Sequence, residues 1–371
     1  MTSQPGSGGT PVGRRRFIQA TAALASAVAV SALGSGTTSS AGSESSLIRP
    51  QVPVPTAETD AELAAQLRRA RSMPASDRGD LLVLNYHKVF GDHRPPPPAG
   101  NAISVTASQL MSHLMMLRSA GFRSVRLADV VRARALGKPM SARSVLITFD
   151  DGTAGQWVYG DAVLRKAGFF AVTFLITGYV GLPPFVSWSE VRSMVASGRW
   201  EVGDHTHNDH HSVPSGPSMP MTSALISRAW NPRSRTLETL PAAETRVRTD
   251  LDLSLTTLRR QRLARPLGFA YPFSRVDGPT NDPVLTEYVE ETLAGLFPLR
   301  FTNYSPCRLV TPADLATGLL PRLEVHRLVS AFELYEQIMA ANLSATSPSV
   351  GVSAAGFLAH GADHSHTHPL P

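Results

Sequence analysis

From residue 81 onward, short apolar runs alternate with longer stretches of helical spacing. Leu81-Leu82-Val83-Leu84 reads as a buried strand, and runs of strand character recur at 124–125, 145–149, 171–176, 200–202, 268–271 and 319–325. Between them, apolar residues at three- and four-residue intervals predict helices over 108–120, 127–136, 162–167, 189–196 and 244–262. Strand–helix alternation at this spacing implies a mostly parallel sheet. No Gly-rich dinucleotide fingerprint is present, and polar residues gather where the strands end. The pattern therefore predicts an α/β chain closed into a (β/α) barrel rather than a doubly wound sheet, with its chemistry at the C-terminal ends of the strands. Residues 57–71, rich in Ala, Leu and Arg, predict a short surface helix. Residues 212–240, rich in Pro, Ser, Met and Arg, predict a long loop forming a lid or groove wall.

The two ends of the chain depart from this pattern. Arg14-Arg15-Arg16-Phe17-Ile18-Gln19 precedes an Ala-rich apolar stretch over 20–33. A basic segment, a modest apolar segment and small residues together read as a secretory signal of the twin-arginine (Tat) type. The apolar stretch is shorter than the roughly 20 residues a membrane span needs, so no stable span is expected after processing. The expected division is a signal peptide and linker over 1–42, a linker with a short helix over 43–80, a catalytic domain over 81–344 and a disordered tail over 345–371. That tail carries His360, His364, His366 and His368. The protein is expected to be secreted or held at the cell envelope, and monomeric.

Composition adds two exclusions. Cys307 is the only cysteine, so no intrachain disulfide can form and stability has to come from a core. The formal net charge of +6 is small, dispersed and partly carried by the signal arginines, which argues against a nucleic-acid partner.

The candidate chemistry lies at two strand ends. Asp150-Asp151 follows the apolar run 145–149, and His205, His207, His210 and His211 follow the run 200–202. Adjacent carboxylates after a buried strand are unfavourable without a partner or a function. One carboxylate and two imidazoles make a ligand set for a divalent metal with open positions for water, and the spare carboxylate can act as a base. Four histidines within seven residues are hard to explain by packing.

Thr148-Phe149-Asp150-Asp151-Gly152 resembles the first motif of the polysaccharide deacetylases, the NodB-homology or carbohydrate esterase family 4 group. The segment from His205 to His211 resembles that family's metal-binding histidine motif. The resemblance covers about residues 81–340 and implies a distorted barrel of the NodB type. It implies Asp150 as catalytic base, Asp151 as metal ligand and a divalent cofactor, most simply Zn²⁺. Most members place three residues between their ligand histidines, a spacing that here falls on Asp209. Four intervening residues make His205 and His210 the ligands, with His207 and His211 as competitors, and resemble the branch that deacetylates poly-β-1,6-N-acetylglucosamine. Asn85-Tyr86-His87 resembles that branch's strand-end Tyr-His and implies that His87 lines the site. Phe269-Ala270-Tyr271-Pro272-Phe273 resembles its third motif, in which the Tyr271 backbone N–H helps hold the oxyanion. The broader family carries an Arg there that this chain lacks, which removes a restraint on the base. Pro321-Arg322-Leu323-Glu324-Val325-His326 resembles the final strand and implies His326 as general acid, although the supporting Asp-Trp motif is absent.

The implied activity is metal-dependent N-deacetylation of N-acetylglucosamine units in an extracellular polysaccharide, with release of acetate. A peptidoglycan or chitin deacetylase, or a non-catalytic glycan-binding protein on the same fold, are the alternatives.

Overall fold

The computed structural model describes residues 60–73, 80–93, 103–274, 280–303 and 307–344. The chain divides into a unit Met1–Val52, outside the described residues, and a unit Pro53–Pro371 that holds the fold. The predicted signal and the histidine-rich tail both lie outside the described residues. No helix among the described residues is long and apolar enough to cross a membrane.

Eight strands form the main sheet: β1 (Leu81–Tyr86), β2 (Arg123–Ser124), β3 (Ser144–Phe149), β4 (Ala171–Leu175), β5 (Trp200–Asp204), β6 (Gly268–Ala270), β7 (Leu299–Asn303) and β8 (Leu319–Glu324). All their pairings are parallel, and β1 joins both β8 and β3. Seven strands thus close a barrel in the order β1-β8-β7-β6-β5-β4-β3, while β2 lies outside the ring on the N-terminal half of β3. The closing pair runs in register from Leu81↔Ser144 to Tyr86↔Phe149. Around the ring lie α1 (Asp60–Arg71), α2 (Ala107–Ser119), α3 (Leu127–Ala135), α4 (Asp161–Ala167), α5 (Trp188–Ala196), α6 (Leu240–Arg260), α7 (Pro283–Leu296), α8 (Pro312–Thr317) and α9 (Ala331–Ser344).

Alternation along the strands assigns the two faces. Leu82, Leu84 and Tyr86 of β1, with Val145, Ile147 and Phe149 of β3, belong to the outer core that packs on α2, α4 and α9. The intervening positions face the barrel interior, where Leu81, Val83, Leu146, Val172, Phe174, Leu299, Phe301 and Leu320 form an apolar plug. Gly203 and Gly268 leave room for its rings, since a Cβ at 203 would lie 2.2 Å from Phe174 and one at 268 would lie 2.9 Å from Phe301. The same interior rows turn polar toward the C-terminal ends: Asn85 on β1, Thr148 on β3, Asn303 on β7, and Arg322 and Glu324 on β8. The barrel is thus sealed by hydrocarbon below and carries its polar groups at one rim.

Several stretches differ from the sequence-based prediction, which also did not include α8 and α9. Strand β7 and helix α7 were not foreseen, because Pro298 and Arg300 interrupt the apolar pattern there. The predicted loop 212–240 contains short strands, Ser212–Pro214 paired with Met221–Ser223 and Trp230–Asn231 paired with Thr236–Leu237. Helix α6 begins four residues earlier than predicted, with Thr239 capping the N–H of Ala242.

Candidate metal centre and active site

Asp151 follows β3, His205 follows β5, and His210 lies in the loop beyond it. Their side chains converge, with ligand atoms all within 4.8 Å of one another. His210 Nε2 is 3.5 Å and His205 Nε2 3.7 Å from Asp151 Oδ1. That oxygen is buried and accepts no hydrogen bond among the described residues. His205 Nδ1 donates to the Ala270 carbonyl at 2.7 Å, which leaves the Nε2 lone pair facing the cluster. A backbone carbonyl fixing the remote nitrogen of an imidazole is the usual support of a metal-ligating histidine. Burial holds both imidazoles neutral, pushing His210 down to about 3 and His205 below its ordinary value. An orphaned carboxylate oxygen and two neutral imidazoles fit a divalent cation.

The histidines that compete with this pair stand outside the cluster. His207 Nδ1 lies 2.9 Å from the Thr177 hydroxyl, and His211 Nδ1 lies 3.0 Å from the Asn208 carbonyl. Both ligand segments pass through left-handed backbone, at Asp151 (φ +71°) and Thr206 (φ +74°). Such conformations are uncommon outside glycine and concentrate at functional sites.

Asp150 is buried beside this cluster and points to the polar rim of the barrel. Arg322 grips it at two points, Nη1 to Oδ1 at 2.8 Å and Nη2 to Oδ2 at 2.7 Å. Asn85 donates to Oδ2 at 3.0 Å, and His87 Nε2 stands 3.9 Å from the same oxygen. Burial pushes the Asp150 carboxyl up. The charge of Arg322 and its hydrogen bonds outweigh burial and hold it well below the usual carboxylate range. Arg322 is fully buried and is itself oriented by Asn303 Oδ1 (2.9 Å) and Asn85 Oδ1 (3.2 Å). Asn303 in turn donates to Glu324 Oε1 at 2.7 Å. Asn85, Asp150, Asn303 and Arg322 therefore all have partners on another element, which is what a buried polar network requires.

Residues 137–286 match the family model described as polysaccharide deacetylase. Over this segment the chain is similar to polysaccharide deacetylases. A poly-β-1,6-N-acetyl-D-glucosamine N-deacetylase of Escherichia coli K12 is 25% identical over 232 residues, which are 57% of this chain and 34% of that protein. One from Staphylococcus aureus MRSA252 is 31% identical over 171 residues, 40% of this chain and 57% of that protein. The chain thus spans between a third and three-fifths of the length of these curated relatives. Among solved structures, a de-N-acetylase from Aggregatibacter actinomycetemcomitans superposes with a TM-score of 0.60 at 20% identity, covering 70% of this chain and 99% of that one. IcaB from Ammonifex degensii gives 0.52 at 24% identity, covering 71% and 97%. These structures share the fold described above.

Two expectations about the site are revised by its geometry. The Tyr271 N–H donates to the Phe301 carbonyl at 3.0 Å as part of the β6–β7 ladder. It is therefore committed to the sheet in this arrangement and is not free to hold an oxyanion. Arg322 of β8 supplies Asp150 with the guanidinium that the third motif lacks. His87 Nε2 stands 3.9 Å from Asp150 Oδ2. His326 lies two residues past β8, where its Nδ1 accepts the Leu328 N–H at 3.3 Å and its carbonyl takes a hydrogen bond from Gln109. Arg322 was the residue missed: a charged side chain inside an apolar strand signals a buried partner, and Asp150 was the carboxylate in need of one.

Proposed function

We propose that this domain hydrolyses the acetamide of N-acetylglucosamine units in an exported polysaccharide, releasing acetate and leaving the free amine. The observation that carries this reading is the side-by-side placement of an ionised, Arg-held carboxylate and a vacant-lone-pair His₂Asp cluster at one rim of the barrel. Asp151, His205 and His210 would hold the cation, most simply Zn²⁺ given two imidazoles and one carboxylate. When bound, such a cation supplies Lewis acidity, polarising a carbonyl and lowering the pKa of water toward about 7.

Asp150 accepts the proton of the attacking water. Arg322 keeps it ionised and aimed, at the expense of basicity, and acidification of the water offsets that loss. The water oxygen joins the acyl carbon, the carbon–nitrogen bond breaks, and the departing nitrogen takes up a proton. We assign that proton to His87 in place of His326, because His87 Nε2 lies 3.9 Å from both Asp150 Oδ2 and Glu324 Oε1. Asn85 and Glu324 line the same rim and keep the two groups in place.

The activity printed for the curated relatives, on poly-β-1,6-N-acetyl-D-glucosamine, supports that polymer as substrate. The twin-arginine segment supports export, and we propose a monomeric enzyme at the envelope or outside the cell. Acetate release from β-1,6- and β-1,4-linked N-acetylglucosamine oligomers, with and without chelator, tests the reading. Release from the β-1,6 oligomer that chelation abolishes is expected. Release from β-1,4 oligomers alone would move the substrate to chitin or peptidoglycan, and silence with both would leave a glycan-binding role.

A further inference from the structure

The loop between the two histidine ligands is irregular, yet it is held from both sides. On one side Thr177 and Gly178 donate their N–H groups to the carbonyls of Thr206 (3.0 Å) and His207 (2.9 Å). The approach is so close that a Cβ at 178 would lie 2.1 Å from Asn208 Oδ1. On the other side stands α6, and three of its residues at four-residue intervals, Arg246, Asp250 and Ser254, share one face.

Asp250 is buried, and its carboxylate accepts three consecutive backbone N–H groups: His207 at 2.8 Å, Asn208 at 2.6 Å and Asp209 at 3.1 Å. Arg246 Nη1 binds Asp209 Oδ2 at 2.8 Å, drawing that side chain toward α6, and is anchored by the carbonyls of Ala224 and Ser227. Ser254 donates to Asp204 Oδ2 at 2.8 Å and accepts from Thr177 at 3.0 Å. Since the Thr177 hydroxyl donates to Ser254, His207 Nδ1 carries the proton toward Thr177, and the chain runs His207→Thr177→Ser254→Asp204.

We infer that Asp250 is the positioning residue of the metal centre. Its carboxylate fixes the path of residues 207–209, and the α6 stripe sets the four-residue gap that brings His210, and not the residue at 209, back to Asp151. This rests on the metal reading above, because it concerns how the ligand pair is presented and not whether a cation binds. An isolated carboxylate buried among three aligned N–H donors is replaceable by no neutral side chain, since an amide places a donor against a donor.

The test is Zn²⁺ affinity of the full chain by competition with a chromophoric chelator, together with the visible spectrum of the Co²⁺ form. Asp250→Asn is expected to weaken Zn²⁺ binding on the order of 10- to 100-fold and to alter the Co²⁺ bands. Asp252→Asn, on the exposed side of α6, is expected to match the parent within about twofold on the same scale. Equal affinity and an unchanged spectrum in Asp250→Asn would overturn the inference. Asp209→Asn cuts only the Arg246 tether and serves if the first variant does not fold; it should weaken binding several-fold, and parental affinity there would overturn the stripe. A parent protein that takes up neither ion would remove the metal centre itself, and this inference with it.

Discussion

Arg322 and Asp150 meet at the centre of the barrel rim as a two-point guanidinium–carboxylate pair, with both side chains essentially removed from solvent. They come from β8 and the end of β3, strands on opposite sides of β1, so the pair spans the strand from which His87 also projects. Such a pair gains little over an apolar replacement, but losing one partner strands a buried charge. Its place beside the Asp151–His205–His210 cluster fits the catalytic role proposed above.

Arg322→Gln should cost about 3–5 kcal/mol in unfolding free energy, because Asp150 is left buried without its counter-charge. Activity should fall as well, since Asp150 is no longer held ionised and aimed. Denaturant titration beside acetate release checks both. Retention of full activity would show that the pair is only structural.

Asp151→Asn, His205→Ala and His210→Ala should each lower bound metal and acetate release together. His207→Ala and His211→Ala should retain the metal stoichiometry, because neither side chain belongs to the cluster around Asp151. Elemental analysis of the purified variants separates the two groups. Metal loss in His211→Ala but not in His210→Ala would reverse the ligand choice.

His87→Ala and His326→Ala distinguish the two candidate acids. If His87 delivers the proton, its removal should reduce turnover by about 10²- to 10⁴-fold with metal content intact. Removal of His326 should change turnover only a few-fold, on the scale of a second-layer contact. The opposite ranking in acetate-release rates would return the role to His326.

Cys307 offers a pH-dependent test remote from the chemistry. Burial raises its thiol to about 12, so the reactive thiolate is scarce at pH 8. Alkylation by iodoacetamide, followed by mass spectrometry, should be slow in the folded protein at pH 8 and rapid in guanidinium. The folded-state rate should climb with pH as long as the fold persists. Fast alkylation of the native protein at pH 8 would contradict the burial.

The legible parts of the fold were those in which a single periodicity governed the residues. Runs such as Val145–Phe149 and Ala171–Leu175 announced themselves because both faces are buried, one in the plug and one under helices. Strand β7 hid because its inward row mixes Leu299 and Phe301 with Asn303, and Arg300 faces the other way. The ligand cluster was visible from residue types alone, since carboxylates and imidazoles at strand ends have few structural uses. The partners of those groups were not. Arg322 lies 172 positions from Asp150, and Asp250 lies 41 to 43 positions from the N–H groups it accepts, so only the barrel's closure and the docking of α6 bring them together. The commitment of the Tyr271 N–H to Phe301 likewise depends on a strand the sequence pattern concealed.

The closing pair of the barrel has one more consequence. Since β1 and β3 run in register through Tyr86↔Phe149, His87 and Asp150 fall on the next rung of the same ladder. The separation of His87 and Asp150 is therefore measured out by two hydrogen-bonded backbones, not by the connection between them. The connection between the two strands carries α2, α3 and β2, which pack the barrel but do not set that spacing. Changes there that keep these elements packed leave the spacing of His87 and Asp150 as it was.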